Sequence, residues 1–318
     1  MSRLFKKKWL FLLLLAMLIV LIVNFYSEKL FDFKTRHHYE NNNINSNYFE
    51  TDKKFVDLKD KVKILCWIMT IPKHLNTRAL AVKETWARHC NKYVFLSGVE
   101  NTTFPVVKLN IVEGKHHLTN KTYASLTYLY RNYGREYDWF LKADDDTYII
   151  VENLRYMLNS FDPNNPLFIG RKFKMIVPNG YMSGGAGYVL SRQALELVVT
   201  KGLPNNTLCP VGWAEDVDIG RCVTNVGVNH VNSSADPYGK ERFHPIYLSE
   251  YFASKIQFHN WIYPYSLAKV YTKAECCSNV TISMHYVVPE QMYFIDFLLY
   301  HVEVHGEVSR WPTKFPML

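Results

Sequence analysis

Three consecutive acids interrupt an otherwise apolar run in Asp138-Trp139-Phe140-Leu141-Lys142-Ala143-Asp144-Asp145-Asp146-Thr147-Tyr148-Ile149-Ile150. The aromatic and branched residues Trp139 to Leu141 predict a short strand that is buried on both faces. Because three adjacent carboxylates repel one another, the end of this strand is better suited to holding a divalent cation than to standing empty. Two interpretations follow: a metal-bridged diphosphate site of the Asp-X-Asp kind, built on Asp144 and Asp146, or a solvated acidic turn.

Strand and helix patterns alternate around that run. Short apolar runs predict strands at 62–70, 93–98 and 106–109. Apolar residues at helical spacing predict helices at 117–133, 152–160 and 191–199, and another from a cap at Asn76 or Thr77 to Cys90. This order predicts an α/β fold with a mostly parallel sheet, in which ligands collect beyond the carboxyl ends of the strands. The acidic triplet falls at such an end.

The chain contains neither a Gly-X-Gly-X-X-Gly sequence nor a Walker loop. A diphosphate bound at the triplet would therefore be neutralised by a metal and by basic side chains. Arg78, Lys83 and Lys121 are the candidates, because each lies at or near a predicted strand-to-helix transition. Taken singly, each is also explained as a solvated surface cation.

The amino terminus has the pattern of a membrane anchor. Arg3, Lys6, Lys7 and Lys8 precede residues 9–27, which carry no charge and can just cross a thin bilayer as a helix. Residues 24–27 offer no small-X-small cleavage site, which favours a retained transmembrane signal anchor over a cleaved signal peptide. We predict a cytoplasmic tail at 1–8, the anchor at 9–27, a flexible stem at 28–60 and a lumenal domain at 61–318, in a Golgi or early secretory membrane.

A lumenal location agrees with the sequons and with the overall charge. Five Asn-X-Ser/Thr sequences are candidate N-glycosylation sites: Asn101, Asn120, Asn205, Asn232 and Asn279. Half of the net charge of +8 lies in the predicted tail. The mildly basic remainder fits a protein that handles an anionic substrate and argues against nucleic acid binding.

Six cysteines lie on the predicted lumenal side, where disulfides form. We expect Cys66 to pair with Cys90 and Cys209 with Cys222, since each pair brackets a short supersecondary unit. The adjacent Cys276 and Cys277 either bond to each other or pair elsewhere. A zinc site is the alternative, but the paired Cys-X2-Cys arms that it needs are missing.

Two motifs follow in the second half of the chain. The first is the glycine-rich stretch Gly180-Tyr181-Met182-Ser183-Gly184-Gly185-Ala186-Gly187, which lets the backbone pass close to a ligand. The second is Gly212-Trp213-Ala214-Glu215-Asp216-Val217-Asp218-Ile219-Gly220-Arg221-Cys222, where an aromatic residue and two acids coincide with the start of a predicted helix. Such a motif can bring a general base and a sugar-stacking surface to one cleft. Alternatively, the acids only favour a helix amino terminus.

A family resemblance rests on these motifs, on Gly239-Lys240-Glu241-Arg242-Phe243-His244-Pro245, and on Cys276-Cys277-Ser278 through Ser283-Met284-His285-Tyr286-Val287. Together they resemble the core 1 β1,3-galactosyltransferases, in the β1,3-glycosyltransferase group that includes the Fringe enzymes. The similarity runs from about Lys63 to about Tyr300. It implies a GT-A fold, with a Rossmann-like nucleotide half and an acceptor half, and an inverting, Mn²⁺-dependent transfer from UDP-galactose to the 3-hydroxyl of O-linked N-acetylgalactosamine on glycoproteins.

The same resemblance implies roles for individual residues. The metal ligands would be Asp144, Asp146 and His285, and the catalytic residues would be the base Asp216 and its neighbour Glu215. The UDP-binding residues would be Met69, Arg78, Lys83, Lys121, Asp144 and Asp145. Acceptor contacts would come from Trp213, Tyr181 and Gly185. Where this chain has Arg78 close relatives have lysine, so the charge is kept while the fork geometry differs.

Other interpretations stay open at this stage. A lumenal chaperone of the same group lacks the acidic triplet and the base motif, which this chain keeps, so an active enzyme is favoured over a non-catalytic partner subunit. A lectin-like module, or a β1,3-transferase with another donor or acceptor, is the further alternative. The family also implies a homodimer. The tail 302–318 does not obviously match.

Overall fold

The computed structural model describes residues 58–253, 261–303 and 305. The predicted cytoplasmic tail, the signal anchor and nearly all of the predicted stem lie outside these residues. Within the described ranges, no helix combines the length and the apolar character needed to span a membrane. The description begins with a helical turn at 58–61, where Leu58 packs against the core.

The described residues form three sheets. Its strands are β1 (Ile64–Met69), β2 (Lys92–Ser97), β3 (Val106–Lys108), β4 (Trp139–Asp144), β5 (Tyr148–Ile149), β6 (Leu167–Gly170), β7 (Lys172–Phe173), β8 (Tyr181–Met182), β9 (Tyr188–Ser191), β10 (Asn229–His230), β11 (Phe243–His244) and β12 (Ser283–Met284). The largest sheet has seven strands in the order β10-β6-β9-β4-β1-β2-β3. The smaller sheets are β11-β12-β5 and β7-β8.

Helices alternate with the strands along the described residues. They are α1 (Leu80–Glu84), α2 (Leu118–Tyr133), α3 (Val151–Leu158), α4 (Arg192–Leu197), α5 (Glu215–Asn225), α6 (Leu248–Phe252), α7 (Ile262–Tyr265) and α8 (Pro289–Tyr300). Short 3-10 helices lie at Pro72–His74, Trp86–His89, Lys115–His117 and Lys273–Glu275, and π-helices at Leu75–Ala79 and Val198–Gly202.

Strand β1 shows why the apolar runs of this chain are continuous. Its side chains alternate between the two faces, so Ile64, Cys66 and Ile68 join one core cluster while Leu65, Trp67 and Met69 join the other. The first cluster includes residues of α1, α3 and α8, and the second includes residues of α2, α4 and α5. A strand covered on both faces has no need for a polar alternation.

The structure confirms the predicted α/β class. Of the six strand pairs in the large sheet, four are parallel, and β9 alone runs antiparallel to its neighbours β4 and β6. The sheet is therefore mixed, with parallel pairs in the majority. Because β4 and β6 both run opposite to β9, their carboxyl ends lie at the same edge of the sheet.

One predicted helix is wrong in its continuity. The segment from Asn76 to Cys90 is divided into the π-helix at Leu75–Ala79, α1 and the 3-10 helix at Trp86–His89. Neither candidate cap provides a side-chain cap hydrogen bond at the start of these helices. The break falls at Thr85, whose backbone is not helical and whose hydroxyl donates to the Ala81 carbonyl at 2.6 Å.

The cysteine pairs are confirmed. Disulfides join Cys66 to Cys90 and Cys209 to Cys222. The structure also chooses between the two alternatives for the adjacent cysteines, since Cys276 and Cys277 bond to each other.

Candidate active site

Two sheets bring the acidic triplet to an imidazole. Asp144 ends β4 and is the partner of Met69 at the carboxyl end of β1. The chain then enters β5, which pairs with β12, and His285 follows β12 directly. The Val287 amide donates to the backbone carbonyl of Asp146 at 2.9 Å. These backbone contacts place His285 beside the triplet.

The three predicted metal ligands lie together. Asp144, Asp146 and His285 each offer one ligand atom within 4.8 Å of the others, and His285 Nε2 lies 3.2 Å from Asp146 Oδ1. Gly185 makes room for the imidazole, because a Cβ at that position would lie 2.3 Å from the ring. Two carboxylates with one imidazole form a donor set that suits manganese. The residues present therefore fit a divalent metal.

Arg78 adds a cation to this cluster. Its Nη1 lies 3.1 Å from Asp146 Oδ2 and 3.6 Å from Asp145 Oδ1. Burial raises the pKa of Asp146, but His285 and Arg78 outweigh that effect and hold this pKa below its ordinary value. Asp146 is consequently ionised at neutral pH, as a metal ligand must be.

Asp145 has hydrogen-bond partners that Asp144 and Asp146 do not share. Its Oδ2 accepts a hydrogen bond from Thr70 Oγ1 at 2.8 Å and contacts His74 Nδ1 at 2.9 Å. Burial raises the pKa of this carboxyl above its ordinary value. Asp145 therefore ties the triplet to the segment that follows β1.

The predicted base lies at the first turn of α5. Asp216 Oδ2 accepts a hydrogen bond from the Gly184 amide at 3.3 Å, and its Oδ1 accepts one from the Val217 amide at 2.9 Å. Burial raises the pKa of Asp216, against the smaller opposing effects of these amides and of Lys142. A carboxylate whose pKa is raised toward neutrality is a stronger proton acceptor.

Glu215 is fixed more firmly than its neighbour. Its Oε1 accepts hydrogen bonds from Thr122 Oγ1 at 2.9 Å and from the Tyr188 hydroxyl at 2.7 Å. The residue is 8% exposed, and burial raises the pKa of its carboxyl. These contacts suit Glu215 to orienting Asp216 and leave Asp216 as the more accessible acid.

A buried lysine joins the two groups of acids. Lys142 is 2% exposed, and its Nζ lies 2.7 Å from Asp144 Oδ1 and 3.1 Å from the Gly184 carbonyl oxygen. Burial lowers the pKa of Lys142, but the nearby charges of Asp144 and Glu215 outweigh it and raise this pKa above its ordinary value. Lys142 is therefore a fixed cation between the metal side and the base side.

The two lysines predicted to bind UDP lie in different surroundings. Lys121 is 2% exposed, and its Nζ lies 2.9 Å from both carboxylate oxygens of Glu113 and also donates to the Thr70 carbonyl. The Lys83 ammonium lies over the Phe104 ring, 5.8 Å from its centroid.

The aromatic acceptor candidates differ from each other. Trp213 is 72% exposed in the loop before α5, whereas Tyr181 is 4% exposed and packs edge-on against Phe173. Trp213 is free to meet a sugar face. Tyr181 is part of a small buried cluster with Phe173, Val177 and Val217.

Sequence reasoning missed several residues that hold the site. They are Lys142, Thr70, His74, Thr122 and Tyr188. A signal for Lys142 was available, since a lysine in the middle of a buried strand needs anionic partners. The other four lie in the loop after β1 (Thr70), a 3-10 helix (His74), α2 (Thr122) and β9 (Tyr188), and nothing in the local sequence distinguishes them.

Comparisons with known proteins show what this chain is similar to. A family model described as Fringe-like matches residues 59–287. The chain is similar to "Glycoprotein-N-acetylgalactosamine 3-beta-galactosyltransferase 1" of Xenopus laevis, with 40% identity over 259 residues, which cover 80% of this chain and 71% of that protein. It is also similar to "Chondroitin sulfate synthase 3" of Homo sapiens, with 30% identity over 181 residues, 50% of this chain but 20% of that protein.

A solved structure of a glycosyltransferase "involved in the glycosylation of the major capsid of PBCV-1" covers 74% of this chain and is itself covered completely. The identity is 13% and the TM-score 0.42, so this likeness bears on neither fold nor function.

Proposed function

Because the chain belongs to the Fringe-like family, we propose that it is an inverting galactosyltransferase of the GT-A type. It moves galactose from UDP-galactose to the 3-hydroxyl of N-acetylgalactosamine that is O-linked to Ser or Thr of glycoproteins. The observation that carries this proposal is that two adjacent glycines contact both halves of the site. Gly185 packs against His285 of the candidate metal cluster, and the Gly184 amide donates to Asp216. The 40% identity to a Xenopus laevis protein named for this transfer supports the choice of donor and acceptor.

On the donor side, Asp144, Asp146 and His285 would hold Mn²⁺. When bound, the ion supplies Lewis-acid stabilisation of the negative charge that develops on the leaving diphosphate. Arg78, which contacts Asp146, adds positive charge at the same place. Lys121 supports this side indirectly. Its ammonium donates to the Thr70 carbonyl just after β1 and is neutralised by Glu113.

On the acceptor side, Asp216 takes the proton of the attacking hydroxyl. A sugar hydroxyl has a pKa far above neutrality, so it needs a base as it attacks. The Gly184 amide holds one carboxylate oxygen of Asp216, and Glu215 is held from the core by Thr122 and Tyr188. Trp213 is exposed beside them and offers its ring to a sugar face.

The cellular setting is part of the proposal. We place the enzyme in the Golgi or early secretory membrane as a single-pass type II protein with its catalytic domain in the lumen, acting as a homodimer. Three disulfides suit an oxidising compartment. Among the candidate N-glycosylation sites, Asn120, Asn205, Asn232 and Asn279 are exposed and Asn101 is half-buried.

The test is a transfer assay with the purified full-length chain. UDP-galactose and a GalNAc-threonine peptide should give a β1,3-linked product in the presence of Mn²⁺, and chelation should abolish it. Parallel reactions contain UDP-N-acetylglucosamine or UDP-glucose. Transfer from one of these donors alone would overturn the donor assignment. No transfer, with rescue of a partner transferase on coexpression, would instead identify a folding partner.

A further inference from the structure

A cavity of about 370 Å³ lies outside the site described above. Lys172 and Lys174 of the segment around β7, Gly180 before β8, and His230 at the end of β10 contribute to its wall. Among the described residues that line it, none is acidic. We call this space the basic cavity.

The groups of the basic cavity suit an anion. Lys172 is half-buried and donates from Nζ to Asn232 Oδ1 at 2.8 Å, which orients its ammonium at the rim. Lys174 is exposed beside it. Two ammonium groups without a carboxylate in the same wall leave positive charge that a ligand can use.

Sheet geometry places the basic cavity on the acceptor side. Strands β10, β6 and β4 run in the same direction, so their carboxyl ends share one edge of the sheet. In the strand order, β10 lies three positions from β4, on the side away from β1. At about 4.8 Å per strand, that separation is roughly 14 Å.

The glycine-rich stretch sets an upper limit on the distance from the basic cavity to Asp216. Gly180 lines the basic cavity, and Gly184, four residues later, donates its amide to Asp216. Four residues of chain span at most about 14 Å. A polypeptide that presents its sugar to Asp216 can therefore reach the basic cavity with a side chain about three to five residues away, since an extended chain advances roughly 3.3 Å per residue.

We propose that the basic cavity binds the carboxylate of an acidic residue in the acceptor polypeptide, and so selects glycosylation sites that have an Asp or Glu nearby. This inference rests on the proposed galactosyl transfer. It assigns Lys172 and Lys174 to acceptor choice and gives them no part in the chemical step.

The experiment measures transfer to a set of glycopeptides by the full-length enzyme, which is first treated with an endoglycosidase so that at most one N-acetylglucosamine remains on Asn232 beside the basic cavity. Each peptide carries one GalNAc-threonine and a single Asp at positions three to five residues before or after it, with the matching Asn peptides as neutral partners. We expect one register to be preferred about 5-fold in kcat/KM, mainly through KM, with the preference reduced by added salt.

The double variant Lys172→Gln/Lys174→Gln should reduce that preference to below about 2-fold while turnover of the neutral peptides is unchanged. The control is Lys108→Gln, which removes one charge from β3 at the opposite edge of the sheet and should keep the preference.

Failure of the proposed function and failure of the cavity proposal give different results. If no glycopeptide is galactosylated, the proposed function is wrong. If all peptides are galactosylated but the acid has no effect, or if its effect survives in the double variant, the basic cavity has no role in acceptor choice.

Discussion

The metal side and the base side of this site satisfy their charges differently. On the metal side, Asp146 meets Arg78 and His285, whose side chains are 35% and 13% exposed. On the base side, Glu215 is buried and bonded to Thr122 and Tyr188 from the core. The partly exposed metal side can admit a metal and a diphosphate, whereas the buried contacts on the base side hold the base in a single geometry.

The largest effect should come from the base. Asp216→Asn should reduce turnover by about 10² to 10⁴, because the attacking hydroxyl loses its proton acceptor, while UDP binding is retained. Steady-state kinetics and calorimetry with UDP and Mn²⁺ measure the two properties. As a control, Asp138→Asn makes the same change just before the amino end of β4, away from the acidic triplet, and should preserve turnover. Full activity in Asp216→Asn would remove this residue from the role.

The next effect tests the link between the two sides. Lys142→Met should lower the free energy of unfolding by about 3 kcal/mol, because it leaves Asp144 and the buried Glu215 without their shared cation. Chemical denaturation measures this change. Lys63→Met, at an exposed position just before β1, is the control and should change stability by less than about 0.5 kcal/mol. Equal stability of the two variants would contradict a structural role for Lys142.

Substitutions at two neighbouring glycines can test the metal side and the base side independently. In Gly185→Ala the new Cβ would collide with the His285 ring, so Mn²⁺ affinity should fall about 10- to 100-fold. In Gly184→Ala the new Cβ would lie 3.1 Å from Glu215 Oε2 and 3.3 Å from Asp216 Cβ, so turnover should fall while metal affinity is retained. Titration of Mn²⁺ with each variant checks the pair, and identical defects would show that the two sides are not independent.

The smallest effect is a pH dependence. Burial raises the pKa of Asp216, whereas His285 and Arg78 hold the pKa of Asp146 low despite its burial. A base works in its ionised form, so kcat at saturating Mn²⁺ and UDP-galactose should fall as the pH drops through the raised pKa of Asp216. The pH profiles of kcat for the wild type and for Asp216→Asn measure this effect. The same acid limb in both enzymes would contradict it.

The local sequence predicted most of the strands and helices that the site rests on. The apolar runs gave β1, β2 and β4 because strands buried on both faces need uninterrupted apolar residues. Ser191 was predicted to start a helix, and its hydroxyl accepts from the Ala194 amide at the first turn of α4. The break at Thr85 was not predicted, because the sequence has no glycine or proline there to mark it.

In the candidate site, too, the sequence predicted some residues and missed others. The acidic triplet was identified from its chemistry, since three adjacent carboxylates at a strand end repel one another. The roles of Glu215 and Asp216 were predicted from their motif and from the family resemblance. The partners that fix them, such as Thr122 and Tyr188, come from distant segments and carry no local signal.

The amino-acid sequence by itself determined the alternation of strands and helices, the cysteine pairs at 66–90 and 209–222, and the family. Only the tertiary structure decided that His285 reaches Asp146, that Asp145 bonds to Thr70 and His74, and that Lys142 joins the two sides. The physical reason is range. Hydrophobic periodicity acts over a few residues along the chain, whereas charges are balanced by whichever groups the packed sheets bring within a few ångströms.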